Sequence, residues 1–119
     1  MPRVEVVFFK EDDGSVPMRD WLDSIQKKAA AKCLARLKRL EELGHELRRP
    51  EADYLRDEIY ELRVGLQGSN YRMLYFFQGR TAAIVSHGLV KERAVPPGEI
   101  DLAVERKQKF EKAPKTHSE

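Results

Sequence analysis

The chain has 119 residues, of which 41% are hydrophobic and 35% charged, and its formal net charge is +2. That suits one domain with one modest core, and the near balance of charge does not by itself mark a nucleic-acid binder. The single cysteine, Cys33, rules out an internal disulfide and a cysteine zinc cluster.

The first strand is expected at residues 3–10, Arg-Val-Glu-Val-Val-Phe-Phe-Lys. Glu11 to Ser15 reads as a turn. Ser15 or Val16 can cap a helix, with Pro17 in its first turn, where a missing N–H does no harm. Met18, Trp21, Leu22 and Ile25 then form an apolar helical stripe, with Trp21 as its core anchor. A second helix is predicted over 26–43, burying Ala30, Cys33, Leu34, Leu37 and Leu40 or Leu43, and Gly44 is placed to end it. Lys28, Lys32, Arg36 and Arg39 recur on its outer side, either as a solvated face or as a surface for RNA phosphates. Residues 45–57 read as a polar connector.

Three strands are predicted at 58–66, 70–78 and 81–90, joined by hairpins at Gly65–Asn70 and Gln78–Arg80. Pro96-Pro97-Gly98 breaks the chain before a helix from Glu99 to Phe110, with Ile100, Ala103 and Val104 as its apolar face. Residues 113–119 give no reason for order, which leaves one domain over 1–112. The order β-α-α-β-β-β-α implies an α+β fold with two helices on one face of a small antiparallel sheet, followed by a C-terminal helix. No run approaches the roughly 20 apolar residues of a membrane span. Met1-Pro2-Arg3-Val4-Glu5 lacks the apolar stretch of a signal peptide. A cytoplasmic location without membrane association is the expectation.

Period-two alternation sorts the sheet's faces. If Arg63 lies opposite Arg72, then Val64 faces Tyr71, Leu62 faces Met73 and Tyr60 faces Tyr75, which completes an apolar face for the helices. Arg63, Arg72 and Glu61 gather on the other, uncovered face. A slip of one residue would drive an arginine into the core. Directly opposed arginines repel unless an anion sits with them. Glu61 can be that anion, or a bound phosphate can. His87 shares its phase with Leu89 and Lys91, either as an acid or base near neutral pH or as a satisfied core histidine. Tyr75 falls on the helix side. His45 and His117 are isolated from other metal ligands, so neither a metal nor a cofactor is expected.

Three strings carry a resemblance: Ile59-Tyr60-Glu61-Leu62-Arg63-Val64, Asn70-Tyr71-Arg72-Met73-Leu74-Tyr75-Phe76, and His87-Gly88-Leu89-Val90-Lys91 ahead of the last helix. In this order, after the Ser-Val-Pro-Met-Arg-Asp-Trp-Leu start of the first helix, they resemble the RelE/HigB superfamily of type II toxins, in particular its phage-derived, HigB-like branch. The resemblance implies a microbial-RNase-like α+β fold and cleavage of mRNA in the ribosomal A site. It also implies a cognate antitoxin, of the helix-turn-helix kind for HigB-like members. It assigns Arg72 to the scissile phosphate, Arg63 as a second cation, and Lys91 and Arg93 to a basic cluster after the last strand. Some members carry lysine where this chain has Glu61, a carboxylate that suits a general base better than an RNA backbone. The same superfamily includes ParE-like gyrase inhibitors and members without known catalysis. A non-catalytic binding module and a gyrase inhibitor are therefore the alternatives.

Overall fold

Five strands and three helices organise the chain in the computed structural model, which describes residues 3–91 and 93–119. Met1, Pro2 and Glu92 lie outside the described residues, and with them the first two positions of the expected domain and the centre of the Lys91-Glu92-Arg93 string. The elements are β1 (Glu5–Phe8), α1 (Pro17–Ser24), α2 (Lys27–Leu43), β2 (Ala52–Arg56), β3 (Ile59–Leu66), β4 (Ser69–Gln78), β5 (Ala82–Val90) and α3 (Pro97–Lys112). The fold is α+β, with the expected succession of elements and one added strand. The sheet order is β1-β5-β4-β3-β2. All neighbours run antiparallel except β1, which pairs with β5 in parallel.

Local chemistry accounts for the element ends. Val16 precedes α1 as its cap and Pro17 opens it. Gly44 closes α2 at φ 52°, donating its N–H to the Leu40 carbonyl. The β3–β4 hairpin turns at Gln67 and Gly68, both at positive φ. The added strand, β2, occupies part of the expected polar connector. It meets β3 through Asp57 and Glu58, again both at positive φ but with no glycine. Such a turn is strained for ordinary residues. It is held by Glu58, whose N–H donates to the Tyr54 hydroxyl at 3.1 Å.

Both faces of the sheet are covered, by different helices. Leu62, Val64, Tyr71, Met73, Tyr75 and Val85 pack against α1 and α2 through Met18, Ala29, Cys33, Leu37 and Leu40. Ala29 takes the place expected for Ala30, and Leu34 points outward at 53% exposure, because the stripe of α2 runs through 29, 33, 37 and 40. Burial pushes the Cys33 thiol up to about 11, consistent with a small core residue. The opposite face, expected to be open, carries a second core. There Ile59, Leu74, Phe76, Ile84 and Leu89 lie under Ile100, Ala103 and Phe110 of α3.

The C-terminal residues, expected to lack order, return to the end of β1. His117 is buried, stacks on Phe9 at 5.0 Å, and donates from Nδ1 to the Lys10 carbonyl at 2.7 Å. Lys10 N–H bonds the His117 carbonyl and Glu119 N–H the Phe8 carbonyl, a brief ladder that covers the margin of β1. The aromatic stack, these backbone bonds and an ion pair from Arg19 to Glu119 together order a polar tail.

Trp21 lies against β5 where Gly88 leaves room for it. A methyl group at position 88 would overlap the indole ring. Gly88→Ala should therefore lower unfolding stability by about 1–3 kcal/mol, the usual cost of overpacking, measured by urea denaturation. An unchanged midpoint would mean that Trp21 does not hold α1 to the sheet.

Candidate functional site

The β3–β4 register pairs Arg63 with Arg72, Leu62 with Met73 and Val64 with Tyr71. Alternation then sends both arginines to the face away from α1 and α2, the α3 side, where the Arg63 side chain is 37% exposed and that of Arg72 13%. Between them stands Glu61, only 2% exposed. Its Oε1 accepts from Arg72 Nη1 at 2.6 Å and its Oε2 from Arg63 Nε at 3.0 Å. The anion between the two strands is thus internal. Charge-assisted bonds on both oxygens offset the cost of taking this carboxylate out of water.

The row extends sideways. Asp53 lies opposite Glu61 on β2. Its Oδ2 accepts from Arg63 at 3.1 Å and from Arg49 at 2.9 Å. The hydrogen bond from Arg49 holds the Asp53 carboxyl below the usual carboxylate range, with the charges of Arg49 and Arg63 adding to it. Arg49, Asp53, Arg63, Glu61 and Arg72 therefore alternate in sign across three strands. The row ends beside the exit of β5. Leu89 is the cross-strand partner of Arg72, and Lys91 follows two residues later, exposed, with its N–H on the Asn70 carbonyl. Arg93 is exposed as well.

His87 stands apart from this row. A bulge between Leu74 and Tyr75 leaves Ser86 as the extra residue on β5 and aims His87 beneath α3. Arg106 Nη1 donates to Ser86 Oγ at 3.2 Å, so the hydroxyl hydrogen is free to bond His87 Nδ1, at 2.8 Å. Nδ1 is then an acceptor, and Nε2–H donates to Glu99 Oε1 at 2.8 Å. Arg106 is held in turn by Glu11 at 2.9 Å. This chain describes a neutral imidazole, and burial, the largest cause, pushes its pKa down. Of the two sequence readings, the satisfied interior histidine is the one this geometry fits.

The outer cations of α2 are mostly engaged at the sheet's margin. Arg36 donates to the Arg63 carbonyl, Lys32 Nζ lies 3.3 Å from the Gly65 carbonyl, and Arg39 grips Glu51 with two nitrogens at 2.9 and 3.0 Å. Lys28 is exposed on the same helix. Tyr75 is buried on the α2 side, where burial raises its pKa. Asp53 escaped the sequence reading, because its strand was read as a connector. Only its two-residue offset from Leu55 hinted at a strand. Among the described residues, no group of three or more His, Cys, Asp or Glu side chains is placed to hold a metal ion. None of the described helices is long and apolar enough to cross a membrane.

A family model for phage-derived Gp49-like proteins matches residues 20–108, and this chain belongs to that family. No curated protein matches it. The matched span holds Glu61, both strand arginines and the exit of β5, and leaves out β1 and the C-terminal tail.

Two expectations follow. Glu61→Gln keeps the shape and removes the charge, leaving two opposed cations. Unfolding stability should fall by about 2–3 kcal/mol, below the full cost of breaking a buried pair because Arg63 is partly solvated. Sulfate should restore more stability to the variant than to the parent, and equal responses would deny the row an anion-binding role. For His87, the unfolded chain takes up a proton below its ordinary value of 6.5 that the folded chain resists. Stability should therefore decline as pH falls from about 7.5 to 5.5, and less steeply in His87→Gln. Parallel urea-midpoint profiles for the two proteins would remove His87 as the cause.

Proposed function

We propose that the chain is the toxin of a toxin–antitoxin pair, a metal-independent endoribonuclease that cuts mRNA on the ribosome. One observation carries this reading: two arginines are opposed in register and fixed by a buried carboxylate, on a sheet where the strand paired with Arg72 leads out to exposed Lys91. Membership of a phage-derived family and the strand-by-strand resemblance to RelE/HigB toxins support it.

Cleavage requires the ribose 2′-oxygen to attack phosphorus while the bond to the 5′-oxygen breaks. The 2′-hydroxyl gives up a proton and the departing oxygen gains one. Arg72 and Arg63 are the groups for the non-bridging oxygens, being permanently charged and able to present two N–H donors each. A phosphate entering between them takes over the contacts now made by Glu61. That exchange leaves a carboxylate beside the scissile group, where it accepts the 2′-hydroxyl proton. Lys91 offers a proton to the 5′-oxygen. Arg93 and Lys28 meet backbone phosphates in flanking RNA, a contribution that weakens with salt. Lys32, Arg36 and Arg39 act in this scheme through the sheet margin that they brace. His87 has no part in proton transfer.

In cells, expression without an antitoxin should arrest growth and yield truncated translated messages. Arg72→Ala should lower cleavage by roughly 100-fold, in line with loss of one oxyanion-stabilising donor, while circular dichroism stays that of the parent. Undiminished toxicity would remove Arg72 from the site. Intact messages with a well-expressed, folded parent protein would refute the nuclease.

The internal pairing of both arginines with Glu61 favours a second reading, a binding module of the same fold without catalysis. It predicts antitoxin or RNA binding with no cleavage on translating ribosomes. Either case predicts a short helix-turn-helix antitoxin gene in the neighbouring reading frame.

A further inference from the structure

A cavity of about 550 Å³ opens beside the β2–β3 hairpin, lined by His45, Arg48, Arg49, Asp53, Tyr54 and Tyr60 among others. It adjoins the arginine–glutamate row at the β2 edge of the sheet: Arg49 and Asp53 belong to both, whereas Tyr54 and Tyr60 stand on the opposite face, toward α2.

Tyr54 is 47% exposed, yet its ring is fixed. The hydroxyl accepts the Glu58 N–H at 3.1 Å, the ring meets Tyr60 edge-on at 5.1 Å, and Tyr60 stacks on buried Tyr75 at 5.5 Å. An open aromatic face with its rotamer already set accepts a flat partner at little further cost in side-chain entropy. Cations stand beside it. Arg48 engages the carbonyls of His45 and Leu47 through one nitrogen, Nη1. Arg49 is 75% exposed at the mouth. A fixed ring for a base, with guanidinium groups for a phosphate, is the pairing that single-stranded nucleic acid uses. The volume falls in the range of small-molecule sites and holds one compact unit; it is not an extended peptide groove.

We propose that this cavity is a second nucleotide subsite, taking one nucleoside phosphate unit of an RNA strand that passes round the β2 edge of the sheet, where Asp53 links Arg49 to Arg63. The base stacks on Tyr54, and its phosphate meets Arg48 and Arg49. This inference rests on the RNA reading given above.

The test is a titration of the isotopically labelled full chain, followed by amide NMR shifts. Adenosine 5′-monophosphate should shift Ala52, Asp53, Tyr54 and Tyr60, and ribose 5-phosphate, which lacks the base, should bind at least about tenfold more weakly. Tyr54→Ala should weaken the nucleotide by about tenfold. Arg49→Ala should weaken it while leaving adenosine unaffected. Arg72→Ala should leave this binding intact, even though it lowers cleavage under the nuclease reading, so the two proposals can fail separately. Shifts confined to other surfaces, equal binding of ribose 5-phosphate, or indifference to Tyr54→Ala would each overturn the subsite. Tighter binding of an N-acetylated Tyr-Glu dipeptide would assign the cavity to a protein partner and overturn it as well.

Discussion

Two guanidinium groups directly opposed across an antiparallel pair cannot stay there without a negative charge between them. Glu61 supplies that charge from inside the protein, and much of the sheet's organisation depends on it. The carboxylate binds one arginine from its own strand and one from the next. A one-residue slip would break the cross-strand bond to Arg72 and push that arginine under α1 and α2. The same guanidinium of Arg63 reaches on to Asp53, so the short β2 is tied to the sheet by charge as well as by backbone bonds. The ion cluster thus reinforces the register that the apolar face demands and ties β2 to the same row.

The face that bears this row is divided. Toward one end α3 seals an apolar core; toward the other the surface is charged and leads to Lys91 and Arg93. The boundary is made by polar groups that are all accounted for. Glu11, Arg106, Ser86, His87 and Glu99 form a continuous chain of hydrogen bonds beneath α3. Satisfied networks of this kind rigidify a helix–sheet contact. Here the bonds on both ring nitrogens of His87 fix the orientation of the imidazole between Ser86 and Glu99.

Much of this was legible in the amino-acid order. Period-two alternation was enough to place Tyr60, Leu62 and Val64 opposite Tyr75, Met73 and Tyr71, and so to align the two arginines. What escaped depended on features without a local signature. The β2 strand is short and charge-rich, and it turns through Asp57-Glu58 where a glycine or asparagine would have marked a hairpin. The bulge at Ser86 changes the face of every later residue on β5 without any change in residue type. The cover supplied by α3 was hidden because its apolar stripe is short and much of its contact is made by Phe110 and Arg106. The ordered tail depends on His117 finding Phe9, a contact more than a hundred positions apart in the chain. In the candidate site, residue types were readable; which anion sits between the arginines required burial and distance.

Beyond Arg63, β3 runs on without β2 beside it, and there Lys32 and Arg36 from α2 reach down to the carbonyls of Gly65 and Arg63. Exposed strand margins invite other chains to add to the sheet. Two long cationic side chains laid over this one act as a guard rail: an arriving strand would have to displace a charged donor from each carbonyl before pairing. The domain can therefore keep a half-finished sheet in a crowded cell without offering it as a template for aggregation.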